Sequence, residues 1–210
     1  GVIFIFNFSL LPPPPPPDAL VLVGVGPTGL AGLWWHEGEL ALARAAAAAG
    51  VPFALATGSM TSMERIVEGA GGTLWFQLYM WPDRRMSYEL VDRTLAAGFD
   101  ALILTVDTAV TSNREYNLRN GMQLPLRFNR RNVTDVLTHP RWLFGVLARY
   151  LANGGIATRE NFPAELQAKI TTEYGGNKDT RSDSLNWDDL KALRDIWPGK
   201  LLVKGLLHPD

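Results

Sequence analysis

Polar residues able to do chemistry recur in this sequence just past short apolar runs. Ala101-Leu-Ile-Leu-Thr-Val106 is a β-leaning run of the kind buried on both faces of a parallel sheet, and Asp107 and Thr108 follow at once. A carboxylate is costly to bury unpaired, so Asp107 reads either as a turn cap or as a catalytic group. The pattern returns at Thr28 and Gly29, at Thr57, at Gln77 and Tyr79, at Thr105 and at Lys204. One such strand end decides nothing. Their repetition points to a common site.

The elements that must position these residues alternate along the chain. Leu20 to Val25, Phe53 to Thr57, Leu74 to Tyr79, Ala101 to Val106 and Leu201 to Lys204 read as strands. Between them, Gly38 to Ala49 is an Ala-rich helix with Gly50 at its C-cap, and Thr61-Ser-Met-Glu64 is a capping box that opens a second. Helices from about Arg84 to Ala97 and from the Asn186 cap to Trp197 complete the pattern. Residues 108–185 interrupt it with a long irregular insertion. Alternating strands and helices imply an α/β fold with a parallel sheet, either doubly wound or part of a (β/α)8 TIM barrel. Polar groups at every strand end favour the barrel, whose strands converge on one mouth. About five of its eight strands are expected, in a unit spanning 19–210, with the apolar edge Leu201 to Val203 unpaired.

Composition narrows the classes. The chain has 210 residues, 47% of them hydrophobic and 20% charged, which suits one globular core. A net charge of −1 offers no general attraction to nucleic acid, and the absence of cysteine excludes disulfides and thiolate chemistry. His36, His139 and His208 lack metal-ligand spacing, so no metal site is expected. Residues 1–18, with the run Pro12 to Pro17, read as a proline-rich leader outside the domain.

Gly24-Val-Gly26-Pro-Thr-Gly29 matches the dinucleotide fingerprint but lacks its context. Gly32 and Trp34-Trp35-His36 intervene before the helix, and the second strand ends Ala54-Leu-Ala-Thr57 with no acid. These glycines instead allow close approach of a flat ligand to the backbone.

Gly26-Pro-Thr-Gly29, Trp75-Phe-Gln-Leu-Tyr79, Leu104-Thr-Val-Asp-Thr108, Arg114-Glu115 and Leu202-Val-Lys-Gly205 stand in one order with His139-Pro-Arg-Trp142 and Asn186-Trp-Asp-Asp-Leu190. Together they resemble the FMN-dependent 2-hydroxy-acid dehydrogenase and oxidase family, in particular its membrane-associated branch. The resemblance implies an FMN cofactor and oxidation of a mandelate- or lactate-like S-2-hydroxy acid to the 2-keto acid. It implies that Pro27, Thr28 and Gly29 lie against the flavin ring, and that Gln77 and Thr105 hydrogen-bond its pyrimidine edge. Lys204 is implied beside N1 and O2, where a fixed cation stabilises the reduced ring. Tyr79 is implied to touch substrate, Arg114 to clamp its carboxylate, and Asp107 to orient the catalytic histidine.

The chain departs from that pattern in three respects. The family's Ser-Asn-His-Gly-Gly stretch with the histidine base is not among these residues, so the chain alone is expected to be inactive. The family's N-terminal substrate-contacting tyrosine is also missing. Ala56 stands where the family has Ser, and Thr57 is the candidate replacement for that flavin-facing hydroxyl.

From Arg127 to Arg159, arginines alternate with Trp142, Leu143, Phe144, Leu147, Tyr150 and Leu151. This reads either as a solvated basic loop or as a surface for an anionic leaflet. The resemblance favours the leaflet, and with it a peripheral enzyme on the inner face of the cell membrane that passes electrons to quinone or another acceptor. A homo-oligomer is compatible with this reading. The rival function is a non-catalytic remnant serving as a membrane-surface or proline-rich interaction module.

Overall fold

The computed structural model describes residues 2–5, 23–107, 115–121, 129–155, 158–167, 169–171 and 184–206. Thr108, Arg114 and the proline run lie outside the described residues.

Five strands form one parallel sheet: β1 (Val2–Ile5), β2 (Phe53–Ala56), β3 (Leu74–Leu78), β4 (Ala101–Thr105) and β5 (Lys200–Lys204), in the order β1-β5-β4-β3-β2. From β2 to β5 each strand lies beside its predecessor in sequence. A doubly wound sheet reverses direction part-way, whereas a barrel advances steadily in one sense, so this run is an arc of a (β/α)8 barrel.

Three expectations change. The first expected strand, Leu20 to Val25, shrinks among the described residues to a single parallel bridge, Val25 to Phe53. Gly24 and Gly26 on either side of Val25 leave few side chains to pack. Residues 2–5, expected in a leader outside the domain, pair with β5 from Val2–Leu201 to Ile5–Lys204. The β5 edge expected to be bare is therefore covered: the backbone of residues 2–5 pairs with the N–H and C=O groups that an open edge leaves unpaired. Finally, the insertion expected to be irregular contains helices α4 (Glu115–Arg119), α5 (Arg130–Thr138), α6 (Pro140–Trp142) and α7 (Ala148–Ala152), and a π-helical turn at Leu143–Leu147 joins the last two. The Asn129 and Asn132 side chains reciprocally cap α5, a signal absent from a purely apolar periodicity reading.

The helices between strands behave largely as expected. α1 (Gly38–Ala48) buries Leu40, Ala43 and Ala46 along one face, and α2 (Met63–Ala70) crosses it closely. A Cβ at Gly69 would stand 2.8 Å from Leu40 Cδ1, so the two helices approach closely here. α2 is capped by Ser62, whose hydroxyl accepts from Arg65 N; Thr61, the expected cap, instead donates to Glu39. α1 ends in a Schellman motif, with Gly50 N bonding Ala47 O and Val51 N bonding Ala46 O. α3 (Arg84–Ala96) ends the same way at Gly98. α8 (Trp187–Ile196) starts with the expected Asn186 cap, in a capping box with Asp189.

Strand side chains divide the core in two. Leu55, Phe76, Leu78, Leu102, Leu104 and Leu201 face the helices, while Ala54, Trp75, Ala101, Ile103 and Leu202 pack together on the opposite face. That second face is the barrel interior. Because side chains alternate along a strand, the interior continues two residues further to Ala56, Gln77, Thr105 and Lys204.

Candidate active site

Gln77, Thr105 and Lys204 thus share one face at the C-terminal ends of three adjacent strands. Register places Thr105 directly beside Lys204 on β5. Gln77 Nε2 donates to Thr105 Oγ1 at 3.0 Å, with both residues buried. A buried amide is expensive unless bonded, so this link holds the Gln77 side chain in one orientation across two strands.

Past the strand ends, Lys204 Nζ stands 3.5 Å from Asp107 Oδ2, and each side chain keeps somewhat more than a quarter of its surface exposed. This is a cation and a carboxylate at the mouth, not in the core. Gly205 makes the approach possible. Its φ is +105°, and a Cβ there would lie 2.6 Å from Asp107 Cβ.

Thr57, the expected replacement for a flavin-facing hydroxyl, bonds the backbone of β3. Its Oγ1 donates to Gln77 O at 2.6 Å and accepts from Tyr79 N at 3.2 Å, and the residue is fully buried. Alternation explains this: at the end of β2 the interior position is Ala56, so Thr57 turns toward the backbone of β3. There it fixes the segment that carries Gln77 and Tyr79. Tyr79 itself is half-buried.

Pro27, Thr28 and Gly29 form a strip beside these strand ends, tied down by Leu30 N donating to Gly58 O at 3.2 Å. Thr28 and Gly29 are exposed and Pro27 is partly so. A Cβ at Gly26 would meet nothing within 4 Å, and one at Gly29 would meet Gly58 O at an ordinary 3.7 Å. The protein's own packing therefore does not require these glycines. What their missing side chains leave free is the outer face of the strip.

The comparisons bear directly on this arrangement. A family profile described as FMN-dependent dehydrogenase matches residues 21–210. The chain belongs to the FMN-dependent dehydrogenase family. It is 42% identical over 188 residues to a putative L-lactate dehydrogenase of Mycobacterium tuberculosis, covering 89% of this chain and 43% of that protein. To (S)-mandelate dehydrogenase of Pseudomonas putida it is 39% identical over 186 residues, covering 89% and 46%. Among solved structures, monotopic membrane protein (S)-mandelate dehydrogenase superposes with a TM-score of 0.75 at 38% identity, over 87% of this chain and 48% of that one. The chain spans less than half the length of each of these relatives.

The residues present fit the family's cofactor, FMN. The cleared strip Gly26–Gly29 can lie against a ring, the Gln77–Thr105 pair offers polar atoms to its edge, and Lys204 supplies a positive charge. The Gly24–Gly29 motif opens no helix: a 3-10 turn at Ala31–Leu33 follows, and α1 begins only at Gly38. The dinucleotide reading fails on that geometry. Among the described residues no group of His, Asp and Glu could hold a metal.

Sequence reasoning missed the supports behind the mouth. Glu39 is buried and accepts from Met60 N and Thr61 Oγ1. Asn161, in the insertion, is also buried; its Oδ1 accepts from Met63 N while its Nδ2 donates to Ser59 Oγ and Thr61 O. Arg84 at the start of α3 grips Asp189 of α8 with two bonds, at 2.7 and 2.9 Å. The Glu39 and Asn161 contacts span 21 to 102 residues, and no local pattern encodes them. Nearby, burial first, and then the carboxylates of Glu39 and Glu37, hold the Tyr150 phenol above its usual range, so it is neutral.

Proposed function

We propose that this chain supplies the flavin-holding part of an FMN-dependent dehydrogenase that oxidises an S-2-hydroxy acid, mandelate- or lactate-like, to the 2-keto acid. The observation that carries this is the shared interior face of Gln77, Thr105 and Lys204 at consecutive strand ends, beside the cleared Gly26–Gly29 strip. FMN, when bound, takes up the two electrons that leave the substrate carbon. Lys204 would offer a positive charge to the ring, and Gln77 and Thr105 would orient its edge. The Tyr79 hydroxyl holds the substrate, and Arg114 clamps its carboxylate as a planar fork. Asp107 orients the histidine base that the family contributes from elsewhere in its sequence, and stabilises that histidine once it takes the substrate proton.

The relatives support the substrate class: their names divide between lactate and mandelate. Binding at a membrane surface through about residues 127–159, with electrons passing to quinone or another acceptor, belongs to the same proposal. Its support is the likeness to a monotopic membrane protein and the exposed arginines of α5 to α7. Among the described residues no helix is long and apolar enough to cross a membrane. The test is to join this chain to the remaining part of the Pseudomonas putida relative and measure quinone reduction with each enantiomer of mandelate and lactate. Turnover with S-enantiomers alone is expected. Absence of turnover with any 2-hydroxy acid would refute the substrate class.

A further inference from the structure

Two adjacent tryptophans stand exposed beside the insertion: Trp34 at 75% and Trp35 at 62%. Single exposed apolar residues are ordinary, but two neighbouring indoles present a contiguous apolar surface that monomeric proteins seldom leave in water. The segment is held in that posture. Leu30 and Glu37 on either side of it are non-glycine residues at positive φ, 59° and 54°. Such backbone is disfavoured and persists where the surroundings enforce it.

Contacts on this segment come from Arg65 of α2, which bonds the Glu37 carboxylate, and from the insertion. Trp142 Nε1 donates to Leu33 O at 2.6 Å, and the Tyr150 ring lies 4.8 Å from that of His36. The Trp34–Trp35 pair is thus bracketed by residues bound to the helical run from α6 to α7. That run has its own exposed apolar side chains, Phe144 and Leu151, and exposed Arg141 and Arg149. Over 129–155 there are four arginines (130, 131, 141 and 149) and one acid, Asp135, giving +3 with His139 neutral, in a chain whose total is −1. A shallow apolar depression of about 390 Å³ opens between Trp34, Trp35, Ala41 and Leu42. Indole rings next to arginines and an apolar recess match the headgroup boundary of an anionic leaflet, where tryptophan concentrates.

We infer that Trp34 and Trp35 form a second anchor for an anionic lipid surface, continuous with the α5 to α7 face but contributed by the barrel itself. This rests on the membrane reading above and extends it to a part of the fold outside the insertion. The anchor lies six residues past the Thr28 of the proposed flavin strip, so lipid contact seats the mouth of the barrel close to the bilayer.

The test compares the full chain with W34S/W35S, W34F/W35F and F144S variants on phosphatidylglycerol-containing vesicles and on phosphatidylcholine alone. Sedimentation with vesicles should fall about tenfold or more for W34S/W35S, in keeping with lost interfacial aromatic area, and W34F/W35F should retain most of it. Bromine-labelled lipid should quench tryptophan emission of the unaltered chain more than that of W34F/W35F. Unchanged sedimentation of W34S/W35S while F144S loses binding would overturn this inference and leave the insertion as the sole contact. Loss of self-association in W34S/W35S with lipid binding intact would equally overturn it, since a second copy would then be the occupant. If the unaltered chain binds neither vesicle, the membrane reading fails and this inference with it.

Discussion

Lys204 and Asp107 face each other across the ends of two adjacent strands, Nζ to Oδ2 at 3.5 Å, with Gly205 pressed against the Asp107 side chain. The pair places one positive and one negative charge side by side at the barrel mouth. Each has a proposed task there: the cation toward the flavin ring, the carboxylate toward the histidine base. Removing the cation as Lys204→Met should lower flavin reduction by about 10²-fold or more in the joined enzyme, the scale of losing one preorganised charge-stabilising group. Anaerobic stopped-flow reduction checks this.

Gly205→Ala should act through Asp107. The added Cβ collides with Asp107, and alanine resists a φ of +105°. A stability loss on the order of 1 to 3 kcal/mol is expected, together with slower substrate oxidation. Urea unfolding reads the first effect and steady-state kinetics the second.

Thr57→Val should weaken the β2–β3 junction. Its hydroxyl both donates to Gln77 O and accepts from Tyr79 N, and valine can make neither bond. About 1 to 3 kcal/mol of stability should be lost. FMN affinity should fall less than it does in Gln77→Leu, because the Thr57 hydroxyl is engaged by the β3 backbone. A flavin titration of both variants separates the two roles.

That distinction shows where sequence was a sufficient guide and where it was not. The strand-end positions of Gln77, Thr105 and Lys204 follow from short apolar runs that alternate with helical patterns, which are local and visible in the letters. The strand β2 ends at Ala56, one residue before the Thr57 that the apolar run suggests, and a one-residue shift turns a side chain to the opposite face. The helices of the insertion were hidden for another reason. Their caps and contacts, such as Asn129 with Asn132 and Trp142 with Leu33, rest on polar geometry and on partners up to 109 residues away. The pairing of β1 is hidden in the sequence because a proline run follows it and suggests a detached leader.

Arg84→Met should be among the costlier changes outside the mouth. It strips Asp189 of both its bonds from the guanidinium, in a pair with side chains only 23% and 11% exposed, and it frees Trp81 O and Ser184 O from the same group. A loss of roughly 2 to 4 kcal/mol is expected in denaturant unfolding, since a mostly buried carboxylate that loses its cation, and keeps only the Asn186 N–H of the capping box, is the larger part of the penalty.

The Glu64–Arg93 pair gives a signed pH dependence. The Arg93 guanidinium, bonding both carboxylate oxygens at 2.7 Å, holds Glu64 below its ordinary 4.5. A carboxyl depressed in the folded state contributes stability that is present above its unfolded value and lost as pH falls through the folded one. Because both side chains are a third or more exposed, Glu64→Gln should cost less than about 1 kcal/mol at neutral pH. That difference should vanish in acid, below the depressed value. Paired unfolding curves at neutral and acidic pH check the sign.

The most direct measurement of the central claim is the visible spectrum of this chain joined to the remaining strands of its Pseudomonas putida relative, before and after anaerobic addition of (S)-mandelate or L-lactate. The account predicts a yellow protein with bound FMN, bleached by an S-enantiomer and not by its mirror image, and far less FMN retained in the Gln77→Leu variant. A protein that folds but stays colourless with FMN in excess, or one that is yellow and unaffected by any 2-hydroxy acid, would contradict it.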